Sequence, residues 1–252
     1  MRCVRWNGLL LALLLGNSLF AQTVGVRDGG TREVLESIFI PPMANAPFQL
    51  ALVTEWTRPL GQEGTYTLTN RRRIMRDGAG RIYQERWLLV PKGGKIESTM
   101  NVLQIADPVE HVLYNCFVSQ KQCNLLRYGG SPSTDYRPDL RASGPLPNGA
   151  GFRTHEELGL ESRQDCETKG YRDRTTINPG IAGNDRPMVT TREFWYCSQL
   201  GINLSSMLDS PESGRQKFTV TELSTSEPDP EFFVIPPGYK VVDLRNDSAP
   251  QY

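Results

Sequence analysis

Residues 154–200 constrain the fold of this chain more than any other stretch. Within 170–177, Tyr171, Asp173, Thr175 and Ile177 alternate with polar residues, a period of two that is typical of a half-exposed strand. A loop rich in Gly, Pro and Asn follows over 178–187, and strand-forming residues resume over 189–197. The pattern predicts an antiparallel hairpin.

The register of this hairpin predicts a disulfide. If Ile177 lies near Met188 or Val189, then Cys197 falls within a residue or two of position 168, close to Cys166. A second pair, Cys116 and Cys123, flanks what resembles a hairpin tip, so we predict the disulfides Cys116–Cys123 and Cys166–Cys197. Free buried thiols are the alternative. A zinc site is disfavoured, because the chain has no CxxC and only two histidines.

Alternating runs separated by turn signals recur along most of the chain. They lie at 48–57, 65–75, 81–90, 97–106, 111–118, 124–128 and 216–223. About ten strands joined by short turns, with no βαβ pattern, predict a mainly β fold. We expect a single antiparallel domain over 45–243, built as a curved sheet or open half-barrel with little helix.

The remaining segments predict an exported protein. Residues 1–21 combine Arg2 and Arg5 with an apolar run and a final Ala21, which is typical of a secretory signal peptide. The segment 22–44 is expected to contain a short helix over 31–40, capped by Thr31. Residues 129–151 are predicted to form a proline-rich surface loop or lid, and 244–252 a flexible tail. We expect a periplasmic or extracellular location, and no segment long and apolar enough to span a membrane.

Charge and motifs exclude several functional classes. Without residues 1–21, the formal balance is 26 basic to 28 acidic residues, which argues against nucleic-acid binding. The sequence has no nucleophile elbow, HExxH, Walker loop or dinucleotide-binding glycine motif. We therefore expect a non-enzymatic protein without cofactor or metal.

Three charged groups of residues allow two interpretations each. His155 and Glu157 could converge as an acid–base or metal pair, but a solvated strand start is the simpler reading. Six arginines over 71–86 predict either a solvated sheet edge or an anion-binding patch. They are Arg71, Arg72, Arg73, Arg76, Arg81 and Arg86. Charged residues over 173–193 predict turn-stabilising contacts or, alternatively, a polar cleft with a carboxylate pair.

Several phrases of the sequence resemble a known family. The order of strands around 76–87 (RDGAGRIYQERW) and 105–108 (IADP), and the ending 227–239 (EPDPEFFVIPPGY), resemble exported carriers of the LolA-like type. Other phrases, over 170–174, 183–187 and 193–196, are similar to secreted proteins of soil bacteria. The resemblance implies a half-barrel whose apolar concave face holds acyl chains.

This resemblance sets the leading functional hypothesis. We expect a hydrophobic ligand, a lipid or acyl chain, to bind the concave face at Phe48, Leu50, Leu52, Trp56, Trp87 and Trp195. The first alternative is a structural or protein-interaction module of the cell envelope, whose sheet face is filled by its own side chains. The second is a hydrolase that uses carboxylates near 173–193. Apolar cavities would favour the first hypothesis, and a filled core the first alternative.

Overall fold

The computed structural model describes residues 38–60, 64–92, 95–138 and 140–246, with side chains outside 88–98. The predicted signal peptide and most of the segment 22–44 lie outside these residues. Of the predicted helix over 31–40, only residues 38–40 are described, and they are not helical.

The chain forms thirteen strands, most of them at the positions predicted from the alternation. The strands are β1 (Phe48–Pro59), β2 (Thr65–Arg76), β3 (Ile82–Lys92), β4 (Lys95–Asp107), β5 (Val112–Phe117), β6 (Gln122–Arg127), β7 (Gly144–Pro145), β8 (Gly151–Arg163), β9 (Cys166–Ile177), β10 (Met188–Cys197), β11 (Ile202–Ser210), β12 (Gly214–Ser224) and β13 (Lys240–Asp243). Two short 3-10 turns, Pro147–Gly149 and Pro230–Phe233, are the helical elements of the described residues.

All thirteen strands belong to one curved, open sheet, in the order β13-β6-β5-β4-β3-β2-β1-β12-β11-β10-β9-β8-β7. The predicted fold class is confirmed. Pairing is antiparallel throughout, except that β13 runs parallel to β6. The start of the predicted C-terminal tail is held beside this strand, because Leu244 N–H donates to the carbonyl of Leu125.

The predicted hairpin register and both disulfides are confirmed. β9 and β10 pair Ile177 with Met188 and Thr168 with Cys197. Cys166 is bonded to Cys197, and Cys116 to Cys123, its direct partner across β5 and β6. The sequence order of turn and strand residues was enough to fix these pairings, because a hairpin is a local structure.

One face of the sheet, here called the inner face, carries a large apolar cluster. Directly paired residues share a face, and the pairings place Leu52 of β1 beside Val220 of β12 and Arg72 of β2. The cluster extends through Phe48, Leu50, Ile74, Ile202, Leu204 and Phe218, all of them buried.

The inner face is concave at its centre. Arg76 of β2 donates to the carbonyl of Leu200 at 2.7 Å, although β1 and β12 lie between β2 and β11, the strand that follows Leu200. Neighbouring strands are about 4.8 Å apart, so this contact requires the sheet to curl towards the inner face.

The segment 38–46 fills this central hollow. Ile38, Ile40, Pro41 and Met43 are buried, and the first two join the inner-face cluster. Gly201 allows the close approach, because its φ is +67° and a Cβ there would lie 3.0 Å from the sulfur of Met43. We call the inner-face cluster together with segment 38–46 the filled centre.

Arg76 holds the filled centre together and corrects a prediction. The sequence predicts the arginines of β2 and β3 at a solvated sheet edge, whereas both strands are interior and Arg76 is completely buried. Its guanidinium donates to Ala46 (2.8 and 3.0 Å), Pro41 (2.9 Å) and Leu200, all main-chain carbonyls, and lies 4.8 Å from the ring of Phe48. Burial lowers the pKa of Arg76 to about 10.

The opposite, outer face is covered by the chain near its C-terminus. Phe233 packs against a second buried cluster, which contains Met75, Tyr83, Ile105 and both cysteines of the Cys116–Cys123 disulfide. This explains why the phenylalanines of the predicted terminal phrase lie in a core rather than in a free extension.

A buried carboxylate lies on the outer face where β2 and β3 separate. The two strands pair only from Ile74 to Arg76 on β2. Next to this paired segment, the side chain of Glu85 serves as a hydrogen-bond acceptor. Its carboxylate accepts from the Arg73 guanidinium (2.9 Å), the Tyr83 hydroxyl (3.1 Å) and the Trp87 indole (3.0 Å). Arg73 therefore forms an ion pair with Glu85, and its hydrogen bonds to that carboxylate raise the pKa of Arg73.

Candidate functional site

The loop 129–143, here called the covering loop, lies over the inner face of β8–β10. Its Tyr136 packs against Tyr171, Phe194 and Tyr196, which form a separate aromatic cluster on this face. The Tyr196 hydroxyl donates to the main-chain carbonyl of Tyr136. Burial raises the pKa of Tyr196 to about 12. The predicted lid is thus tied down at one aromatic residue.

The covering loop also touches the filled centre. Ser133 forms an isolated bridge with Met43, in which Ala44 N–H donates to the Ser133 carbonyl at 2.8 Å. Phe39, at the edge of segment 38–46, packs on Tyr136 with the ring centres 5.3 Å apart. The two coverings of the inner face therefore meet along one seam.

Two cavities lie on the two sides of Tyr136. The first, here called the arginine cavity, has a volume of ≈ 330 Å³ and is lined among others by Arg141, Arg153, Asp173, Arg192 and Phe194. The second, here called the leucine cavity, has a volume of ≈ 650 Å³. Its lining includes Leu140, Leu160, Lys169 and Tyr171. Tyr136, Pro138 and Tyr196 line both cavities, so the cavities adjoin.

Three exposed apolar side chains line these cavities. Phe39 is 60% exposed at the arginine cavity, and Leu140 and Leu160 are 38% and 66% exposed at the leucine cavity. Large apolar side chains left in water cost free energy that a ligand would recover by covering them. Together with the aromatic cluster, these residues form the open flank of the inner face.

The charged residues predicted near 155–157 and 173–193 form pairs rather than a carboxylate cleft. His155 Nδ1 lies 2.6 Å from Asp173 Oδ1, and Glu157 binds Lys169 at 2.8 Å. Asp173 pairs across the hairpin with Arg192, so it lies on the face opposite to Glu193, which binds Arg172 at 2.9 Å. The two carboxylates do not converge, and the structure gives the hydrolase hypothesis no site at these positions.

The predicted ligand residues divide between the two faces. Phe48, Leu50, Leu52 and Trp56 alternate along β1 and share the inner face, but the first three are buried in the filled centre. Trp87 lies on the outer face, where it donates to Glu85. Trp195 pairs with Ser205 and is also on the outer face, with the Arg163 guanidinium 4.4 Å from its ring.

Sequence reasoning assigned Asp173 and Arg192 to a possible polar cleft but did not bring them together with the aromatic residues that line the cavities. Phe194 and Tyr196 are visible in the sequence as alternate positions of one strand, and Tyr171 belongs to its partner strand. The predicted register of β9 and β10 already places Tyr171 opposite Phe194. No sequence signal brings Tyr136 of the covering loop to them, because that contact bridges 60 residues.

The described part of the chain offers neither a metal cluster nor a membrane-spanning helix. No group of three or more His, Cys, Asp or Glu side chains in it is arranged to hold a metal ion. None of its helices is long and apolar enough to cross a membrane.

Comparisons with known proteins bear on the fold. The sequence matches no protein-family model and no curated protein sequence. Among solved structures, it is similar to the lipoprotein LppX of Mycobacterium tuberculosis, with 8% identity and a TM-score of 0.30 over 73% of this chain and 89% of that one. It is also similar to a LolA superfamily protein of Nitrosomonas europaea, with 9% identity and a TM-score of 0.31 over 75% of this chain and 90% of that one.

A third similar structure is LprF of Mycobacterium bovis, with 9% identity and a TM-score of 0.29 over 73% of this chain and 90% of that one. One of these structures is itself named as a LolA superfamily protein, the kind of protein that the sequence resembles. At identities and TM-scores this low, we take no statement about ligand or function from these proteins.

Proposed function

We propose that this chain is an exported, non-enzymatic protein that binds an apolar chain, such as the acyl chain of a lipid, on the open flank of its inner face. The observation that carries the proposal is the pair of adjoining cavities beside Tyr136, of ≈ 330 and ≈ 650 Å³. Both volumes lie within the range of about 300–1,000 Å³ that is common for small-molecule sites.

The lining chemistry supports a ligand with an apolar part. Leu140 and Leu160 line the leucine cavity and are partly exposed, and Tyr136 and Tyr196 of the aromatic cluster line both cavities. Covering apolar surface stabilises a complex by about 25 cal/mol per Å². The open flank therefore offers surface that a bound chain would bury.

The proposal moves the ligand away from the centre of the concave face. Phe48, Leu50 and Leu52 are already covered by segment 38–46. They would meet a ligand only if that segment left its place, and Trp56 lies towards the far end of β1. The ligand is therefore assigned to β8–β10.

The disulfides support export. Structural disulfides persist in oxidising compartments, and this chain has two, each with at least one completely buried cysteine. A periplasmic or extracellular location is part of the proposal.

The test uses native mass spectrometry of protein purified from its own envelope, followed by titration with a fluorescent acyl probe. We expect a reproducible added mass that solvent extracts as lipid. The double substitution Leu140→Asn and Leu160→Asn should weaken probe binding at least about 10-fold, because it removes apolar contact without adding charge.

The matched control is Ile181→Asn, which changes a side chain that is 53% exposed in the β9–β10 loop and lines neither cavity. The control should bind as the unmodified protein does. A clean apo mass with no probe uptake, or equal losses in control and double variant, would contradict the proposal.

A second candidate function is a structural or protein-interaction module of the cell envelope. The filled centre favours it, because segment 38–46 supplies from the chain itself the side chains that a ligand would otherwise provide. The apo outcome of the same experiment would select this function.

A further inference from the structure

The arginine cavity has a lining unlike that of the leucine cavity. Three guanidinium groups come to it from three different elements: Arg141 from the covering loop, Arg153 from β8 and Arg192 from β10. Among the described lining residues, Asp173 is the only carboxylate. The covering loop carries two acids: Asp135, which pairs with Arg137 and lines the leucine cavity, and Asp139, at a position outside the described residues. Even if Asp139 is counted with the lining, the arginines outnumber the acids.

The remaining contacts reinforce the positive character of this cavity. Asp173 already shares its carboxylate with His155 at 2.6 Å. Arg192 lies 4.9 Å from the ring of Phe194, so one wall is a cation on an aromatic face. A cavity lined by more guanidinium groups than carboxylates concentrates positive potential and attracts an anion.

The outer face of the same strands shows the contrast. There Arg172 meets two carboxylates, Glu193 at 2.9 Å and Glu156 at 3.1 Å. The charges of that surface are matched by side chains of the protein itself, as expected for a solvated sheet face. At the arginine cavity on the inner face, arginines outnumber carboxylates among the described lining residues.

We propose that the arginine cavity binds the anionic headgroup, a carboxylate or a phosphate, of an amphiphile whose apolar chain lies in the adjoining leucine cavity. This inference rests on the proposed function and names the class of ligand for the same site. Guanidinium groups pair with carboxylate and phosphate through two parallel hydrogen bonds, which an alcohol cannot accept in the same way. Tyr136, Pro138 and Tyr196 line both cavities and would contact the junction between head and chain.

The test compares ligands that share one chain length and differ in the headgroup. Binding of palmitate, 1-palmitoyl lysophosphatidic acid and hexadecanol is measured by competition with the fluorescent acyl probe. We expect at least one of the two anions to bind about 10-fold or more tightly than hexadecanol, and this advantage to shrink as salt is added. The anion with the greater advantage identifies a carboxylate or a phosphate headgroup.

Arg153→Gln tests the site directly. It should remove most of the advantage of the anions over hexadecanol. The control is Arg174→Gln, which makes the same charge change at an exposed position of β9, where Arg174 pairs with Thr154 on the outer face. Arg174→Gln should keep the preference for anions.

The outcomes separate this inference from the proposed function. Equal binding of hexadecanol and both anions would overturn the headgroup assignment and leave an apolar binding site in place. Equal effects of Arg153→Gln and Arg174→Gln would also overturn it, since the preference would then follow net charge alone. Failure of all three ligands to bind would overturn the proposed function itself.

Discussion

The filled centre and the open flank are two regions of one inner face, and they differ in what covers them. At the centre, segment 38–46 lays Ile38 and Ile40 into the hollow and closes it. At the flank, the covering loop brings Tyr136 and Arg141 and leaves two cavities. A curved sheet thus becomes core or binding site according to the segment that lies on it, because both regions offer apolar strand residues.

The two coverings also differ in how firmly they are held. Segment 38–46 is bound by three hydrogen bonds from the buried guanidinium of Arg76, which also donates a fourth to Leu200. The covering loop is tied to the aromatic cluster through the hydroxyl of Tyr196. Segments with few buried contacts open at lower free-energy cost, so we expect the flank to open before the centre.

The largest effect should come from Arg76→Met. The substitution leaves the carbonyls of Pro41, Ala46 and Leu200 buried without their donor, and each such loss costs about 1–3 kcal/mol. We expect a loss of about 4 kcal/mol in the free energy of unfolding, measured by urea denaturation. The control is Arg71→Met at an exposed position of the same strand, which should change stability by less than about 0.5 kcal/mol. Equal losses would show that the centre is not held by Arg76.

A matched pair of leucines compares the regions directly. Leu204 is buried in the filled centre, whereas Leu160 is mostly exposed at the leucine cavity. Leu204→Ala should lower the free energy of unfolding by about 3 kcal/mol, because it leaves a cavity in a packed core. Leu160→Ala should cost less than about 0.5 kcal/mol. A small effect at Leu204 in thermal or urea unfolding would mean that the centre is as loosely packed as the flank.

The smallest effect should be that of Tyr196→Phe, and it depends on pH. Loss of the hydrogen bond to Tyr136 should cost about 1 kcal/mol at pH 8. Burial raises the pKa of Tyr196 to about 12, above its unfolded value near 10. Between these values, the unfolded chain gives up a proton that the folded chain keeps. The stability contributed by Tyr196 is therefore fully present below pH 10 and is lost as pH rises through about 12.

The measurement is urea denaturation of both proteins from pH 8 to pH 12. The difference between unmodified protein and Tyr196→Phe should shrink above pH 10, because other groups titrate alike in both. A difference that stays constant over this range would contradict the burial of the Tyr196 hydroxyl beneath the covering loop.

Local patterns were enough to predict most of the strands, the mainly antiparallel class and both disulfides. Alternation of side chains along 170–177 and the turn residues after it fixed the β9–β10 register, so that Cys166 lies two residues from the partner of Cys197. These features depend on neighbours in sequence, and the pleat and the turn decide them without reference to the rest of the fold.

Tertiary structure alone decided which residues line the site. The sequence could not show that Arg76, in an arginine-rich strand, would be buried by the carbonyls of residues 41, 46 and 200. It placed Trp87 and Trp195 on the concave face, whereas strand pairing puts both on the outer one. The register between strands that are distant in sequence decides which face a residue occupies. The positions of segments 38–46 and 129–143 on the sheet decide where the cavities form. Such contacts link residues far apart in the chain, and no local propensity encodes them.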